Sequence, residues 1–214
     1  MHTYVRTLEQ ISSRYAPSRI LSFDVAHIFK VLQLIDTRGH ISRESLCKEL
    51  NLGEGSIKTL VKHLKMKHMI ETSNAGTKMS DMGKEFFEEL LSSIPTEYGI
   101  PKCSIALGKF NYAILLKHLS FAIKSGIEQR DAAIKMGGIG ATTLLFRNGK
   151  FMMPTANYDS LKKEPRIHTL LTEKLKPEDG DVIIIGSHDK DQRIAELAAK
   201  NAALMTISNH DKHR

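Results

Sequence analysis

The chain has 214 residues, 41% hydrophobic and 26% charged, ordinary for a soluble globular protein and long enough for one large domain or two small ones. Against 24 Asp and Glu stand 31 Lys and Arg, and the formal charge of +7 favours an anionic partner without requiring one. No apolar run nears the roughly 18 residues of a membrane span, MHTYVRTLEQ lacks the form of a signal peptide, and Cys47 and Cys103 lie apart without metal spacing. The expectation is a cytoplasmic protein with no membrane contact, no cofactor and no metal.

In chain order, Tyr4 to Ile11 is a short amphipathic segment ending near Ala16-Pro17. It reads as a lead-in helix on a partner subunit or as a frayed terminus, with fraying the default. Ser22 is placed as an N-cap, and Val25, Ile28, Phe29, Leu32 and Ile35 predict a helix stopped by Asp36-Thr37-Arg38-Gly39. His40-Ile41 offers a very short strand. Ser42 is the next N-cap, before a short helix with Leu46, Cys47 and Leu50 inward, and Asn51-Leu52-Gly53 makes a turn.

Ile57, Leu60, Val61 and Leu64 then recur at i, i+3, i+4 and i+7 and predict a helix over about 54–66. Lys58, Thr59 and Lys62 lie opposite that stripe, Ser56, His63 and Lys65 flank it, and no acid falls between Glu54 and Glu71. Met69 to Thr72 reads as β, Asn74-Ala75-Gly76 as a turn and Lys78 as the basic residue after it, so a hairpin spans about 69–79. Ser80 caps a longer helix with Phe86, Phe87, Leu90, Leu91 and Ile94 apolar, ended by Pro95. So broad an apolar face suits a homodimer interface; the alternative is packing on a second domain.

The order helix, short strand, helix, turn, helix, two-stranded wing, helix resembles the winged-helix transcription regulators. The resemblance covers about residues 20–95 and rests on RGHISRESLCKEL, NLGEGSIKTLVKHLKMKHMIE and TSNAGTKMSDMG. It implies that the third helix enters the major groove of double-stranded DNA while the wing touches the backbone or minor groove. The residues expected at DNA are then Ser56, Lys58, Thr59, Lys62, His63, Lys65, Asn74 and Lys78. Their charge supports the placement, since a basic face lowers phosphate repulsion and Thr59 is short enough to approach a base edge. A solvated Lys-rich helix face is the competing explanation.

Residues 94–101, with Pro95 and Pro101, read as a linker, so the domains are expected at 1–95 and 96–214. Strands are predicted at 102–107 and 112–116, a helix at 125–136, a strand at 141–146, and a hairpin through Asn148-Gly149 into 151–153. A helix over 159–175 is interrupted by Pro165. The aliphatic run Asp181 to Gly186 predicts a strand covered on both faces, followed by a helix over 191–203, a last strand at 205–208 and a loose tail. The fold class is α+β, a winged helix-turn-helix domain plus a mixed α/β domain. Residues 100–208 also resemble an archaeal family of unknown function in which such a domain follows a winged helix, on the strength of SGIEQRDAAIKMGGIGATTLLFRNGK and DGDVIIIGSHDKDQRIAELAAKNAAL.

Gly137-Gly138-Ile139-Gly140 follows a helix and precedes a strand, the reverse of a phosphate-binding loop, and reads as a helix C-cap. Gly186, Ser187, His188 and Asp189 have the better topology: a strand end before a helix start, where a small-molecule effector would sit. The opposing reading is ordinary capping, with Asp189 and Asp191 repelling anions. Glu128, Arg130 and Asp131 are either an acid-base cluster or a complement to a helix dipole. No catalytic arrangement is assignable. The leading expectation is a DNA-binding transcription regulator; the alternatives are an enzyme with an accessory winged helix, or a protein-interaction module.

Overall fold

Asp24 and His27 start the first long helix by satisfying one another's backbone. The Asp24 side chain takes N–H groups of the first turn, and the His27 imidazole accepts from the Asp24 N–H at 3.1 Å through Nδ1. This capping box corrects the expectation of Ser22, which lies too far upstream to reach the free N–H groups. Burial holds the His27 imidazole down at about 4; Asp24 opposes that shift and Lys30 adds to it.

The computed structural model describes residues 2–13 and 21–209 and divides into two compact units, Met1–Leu90 and Leu91–Arg214. The predicted end near Ala16-Pro17 and the tail beyond Asn209 lie outside the described residues. The first unit contains α1 (His2–Ile11), α2 (Val25–Arg38), α3 (Arg43–Leu50), α4 (Glu54–Met66), β1 (Ile70–Ser73), β2 (Gly76–Met79) and the start of α5 (Asp81–Ser93). Far from fraying, α1 buries Val5, Leu8 and Ile11 and packs on α2 of its own chain. Ser42 caps α3 as expected, accepting from the Ser45 N–H at 3.1 Å, and Asn51 closes it in the left-handed conformation. His40-Ile41 contributes a single antiparallel bridge, Ile41 to Thr77, which ties β2 to the start of the helix pair.

The apolar face of α5 is filled from within. Phe86 meets Tyr4 edge-on at 5.4 Å, Phe87 meets Phe29 at 5.9 Å, and both rings are buried with Leu90. The face that suggested a dimer interface is therefore core, because α1 and α2 cover it.

The second unit is an antiparallel sheet in the order β3-β4-β7-β5-β6 with helices on both faces. Its elements are β3 (Glu97–Ile100), β4 (Phe110–Leu116), a 3-10 turn at Ser120–Ala122, α6 (Ile127–Lys135), β5 (Gly140–Arg147), β6 (Lys150–Met152), α7 (Pro165–Leu175), β7 (Val182–His188) and α8 (Gln192–Asn209). The supposed linker contains edge strand β3, whose Glu97 to Ile100 pair with Ile114 to Asn111 of β4. Residues 102–107, expected as a strand, form turns and loop instead, and the Ala106 N–H bonds the Cys103 carbonyl within the segment. Residues 205–208, also expected as a strand, continue α8. An Ala-rich helix face carries them under cover, so their β-branched side chains are buried without a ladder.

Strand β7 is central and buried on both faces, as its aliphatic run predicts. Ile183 and Ile185 join Leu144, Phe146, Phe151 and the inner face of α7 in one core. The alternate residues face α6 and α8. Asn148 and Gly149, both with positive φ (49° and 71°), make the predicted hairpin between β5 and β6. Pro165 does not interrupt α7; it opens it at the first turn, where no N–H is needed.

Candidate nucleic-acid interface

Helix α4 is held by its apolar side. Ile57, Leu60, Val61 and Leu64 are buried, which fixes the opposite side outward. Lys58, Lys62 and Lys65, spaced at i, i+4 and i+7, are exposed in one row, and Thr59 and Ser56 are half-exposed beside it. The Thr59 hydroxyl donates to the Gly55 carbonyl at 2.9 Å, leaving its lone pairs and methyl outward. Met66, at 49% exposure, also stands out; its apolar type carried no sequence signal for a polar interface. The helix follows α3 across Asn51-Leu52-Gly53, which is a helix-turn-helix.

His63 does not belong to this face. It is 5% exposed, its Nδ1–H donates to the Ile11 carbonyl at 2.7 Å, and its ring meets Phe23 edge-on at 5.6 Å. The expectation of His63 at DNA is thereby corrected: the imidazole turns inward because α1 offers it a buried acceptor, which no local pattern reveals.

The wing follows immediately. β1 and β2 pair from Ile70–Met79 to Ser73–Gly76, and Asn74 is exposed at the tip. Lys65 reaches from α4 to the wing, its Nζ donating to Thr72 Oγ1 at 3.0 Å. Lys78 faces Glu71 across the ladder with Nζ to Oε2 at 2.9 Å, and that hydrogen bond raises the Lys78 pKa. Of the basic residues expected at DNA, Lys78 therefore carries a carboxylate beside it.

The strand end at Gly186 to Asp189 differs from its expected role. A Cβ on Gly186 would stand 2.5 Å from the Ala195 carbonyl oxygen and the Ala199 nitrogen, so this glycine lets α8 rest on β7. Ser187 is wholly buried; its hydroxyl donates to Asn111 Oδ1 at 2.7 Å and accepts from the Leu107 N–H at 3.2 Å. His188 Nδ1 accepts the Asp191 N–H at 2.9 Å and so closes the start of α8 from the protein side. Asp189 is exposed and Asp191 pairs with Arg193 at 2.8 Å. These four residues build the strand–helix junction, with the Ser187 hydroxyl and His188 Nδ1 bonded within the protein. Arg130 pairs with Asp131 at 2.9 Å, both about half exposed, which is a surface pair rather than an acid-base couple.

Residues 25–94 match the family model of the CggR N-terminal DNA binding domain, and residues 107–207 match a domain of unknown function, DUF4443. The two matches lie in tandem, a CggR-like DNA-binding domain followed by a DUF4443-like domain. The solved structure of a hypothetical protein from Pyrococcus horikoshii OT3 is similar over 86% of this chain and 92% of that one, with a TM-score of 0.69 and 25% identity. No curated protein matches the chain. Among the described residues no helix is long and apolar enough to cross a membrane. Within the CggR-like domain, the match spans α2 to α5 and so contains α4 and the wing entire. The DUF4443 match runs from the loop before β4 into α8.

Proposed function

We propose that the chain is a transcription regulator that sets α4 in the major groove of double-stranded DNA and lays the β1–β2 wing on the backbone or minor groove. The observation that carries this reading is the outward row Lys58, Lys62 and Lys65, on the second helix of a helix-turn-helix within a domain matching a DNA-binding family. Lys58 and Lys62 are the phosphate contacts, and Thr59 and Ser56 are short polar groups placed for base edges. Asn74 at the wing tip meets the backbone. The role is regulatory and non-enzymatic, and symmetric half-sites would mark binding as a homodimer.

Selection of bound sequences from random DNA at physiological salt tests the reading and reports half-site spacing. On the selected site, Lys58→Ala/Lys62→Ala should lower the slope of log affinity against log salt by roughly 2. An unchanged slope would remove α4 from the phosphates. Failure to enrich any DNA, with retention of a protein partner, would favour the interaction-module reading.

A further inference from the structure

Beside the start of α6 lies a cavity of about 230 Å³, remote in sequence from the Gly186 junction. Its wall includes Gly126 and Ile127 at the helix start, Arg130 one turn along, Thr143 on β5, and Met153 and Pro154 after β6. Three independent features of that wall point to one ligand chemistry.

The nine-residue α6 begins on Gly126, which has no side chain to cap it, and no side-chain cap bond is made. The Ile127 N–H makes a long 3.4 Å approach to Ser125 Oγ. The first turn carries one acid, Glu128, and its N–H groups, without a side-chain cap, carry the positive end of the helix dipole toward the cavity. The second feature is Thr143. It is 4% exposed, and its Oγ1 makes no hydrogen bond among the described residues. Leu144 and Phe146 point into the α7-side core, so alternation along β5 turns Thr143 to the α6 side. Its Oγ1 lies 3.4 Å from the place where a side chain on Gly126 would begin. A buried hydroxyl without a partner at a cavity wall is unusual and asks for a ligand atom.

The third feature is Arg130, whose Nε and Nη2 donate to Asp131 Oδ1 at 3.0 and 2.9 Å. That pair is half exposed, and Nη1 remains outside it. Neither Asp131 nor Glu128 lines the cavity, whose wall adds Ser125, Thr142 and Thr155 to the apolar Ile127, Met153 and Pro154.

We propose that this cavity binds a small organic anion, its carboxylate or phosphate held between the α6 N-terminus, the Thr143 hydroxyl and the Arg130 guanidinium. A short apolar body lies against Met153 and Pro154. The volume falls below the roughly 300–1,000 Å³ of drug-sized sites, which restricts the ligand to a small metabolite. The proposal does not depend on DNA binding.

Calorimetric titration of the full chain with 3-methylbutanoate, with isobutyl phosphate and with 3-methylbutanol tests it. One or both anions should bind saturably and the alcohol should not, and the anion that binds names the head group. Arg130→Gln should weaken binding at least roughly tenfold and Thr143→Val about fivefold, as expected for hydrogen bonds to a charged group. Thr143→Ser keeps the hydroxyl and should bind like the parent, so it and Arg130→Gln decide the matter if the valine variant misfolds. No saturable binding of either anion, equal binding of the alcohol, or anion affinity unchanged in Arg130→Gln and Thr143→Val would overturn the assignment.

Discussion

Helices α4 and α8 both carry lysines and use them in opposite ways. On α4, Lys58, Lys62 and Lys65 stand in water on one face. On α8, Lys200 is wholly buried, paired with Glu97 and with Glu196 at 3.0 Å, and its Nζ lies 5.1 Å from the centre of the Tyr112 ring. Burial, with Glu97 and Glu196 beside it, pushes the Tyr112 phenol up, and that phenol donates to Glu97 at 2.9 Å. The residue type is the same; the neighbours decide its use. Lys200 can be buried because Glu97 and Glu196 compensate its charge, while the α4 lysines stay in solvent.

The sharpest way to break this contrast is Lys200→Met, which keeps the volume and strands two carboxylates. It should cost about 3–5 kcal/mol in urea unfolding, because breaking a buried pair leaves an uncompensated charge. A loss under 1 kcal/mol would mean that the network is incidental.

His27 supplies a third case, a basic group buried mainly without compensation. Its folded pKa, about 4, lies below the ordinary 6.5, so in that window the unfolded chain binds a proton that the folded chain refuses. Its contribution is complete above pH 6.5 and is lost as pH falls toward 4, on the order of 3 kcal/mol in total. Protonation would also remove the acceptor that completes the α2 cap. His27→Gln, which can still accept from the Asp24 N–H, should flatten the acid limb of a stability–pH curve; an unchanged limb would show that other groups set it.

The close approach of α8 to β7, which brings Lys200 over the sheet, can be tested through Gly186→Ala. The added Cβ would meet backbone at 2.5 Å, so a loss of about 1–3 kcal/mol is expected in thermal or urea melts. The smallest effect on stability belongs to Lys58→Ala/Lys62→Ala, within about 0.5 kcal/mol of the parent, since exposed side chains contribute little to folding. A large destabilisation there would place those lysines in the fold rather than at an interface.

Local pattern made the first unit legible. The i, i+3, i+4, i+7 spacing of α4, the Ser42 cap and the Asn51 turn are short-range signals, and the helix-turn-helix follows from them. In the second unit, the β5–β6 hairpin and β7 were readable for the same reason. Strand β3 was not, since two prolines flank it and its support is non-local: pairing with β4, more than ten residues away, and the Glu97–Lys200 pair. The hydrogen bonds of the strand end before α8 were hidden by a similar gap. Topology favoured Gly186 to Asp189, and only the structure shows that the Ser187 hydroxyl bonds Asn111 and Leu107 and that His188 Nδ1 takes an α8 N–H.

By itself the sequence determined the helical and β periods, the caps and turns, and the outward charge of α4, because these depend on residues within a few positions of one another. Only the tertiary structure decided that His63 turns inward, that Ser187 is spent on Asn111, that Lys200 is paired with Glu97 and that the Thr143 hydroxyl has no partner among the described residues. Each of those outcomes rests on a partner 40 or more residues distant in the chain, or on the want of one, and burial makes the match count. In water any of these groups could be satisfied by solvent; inside the protein only a specific neighbour can do it.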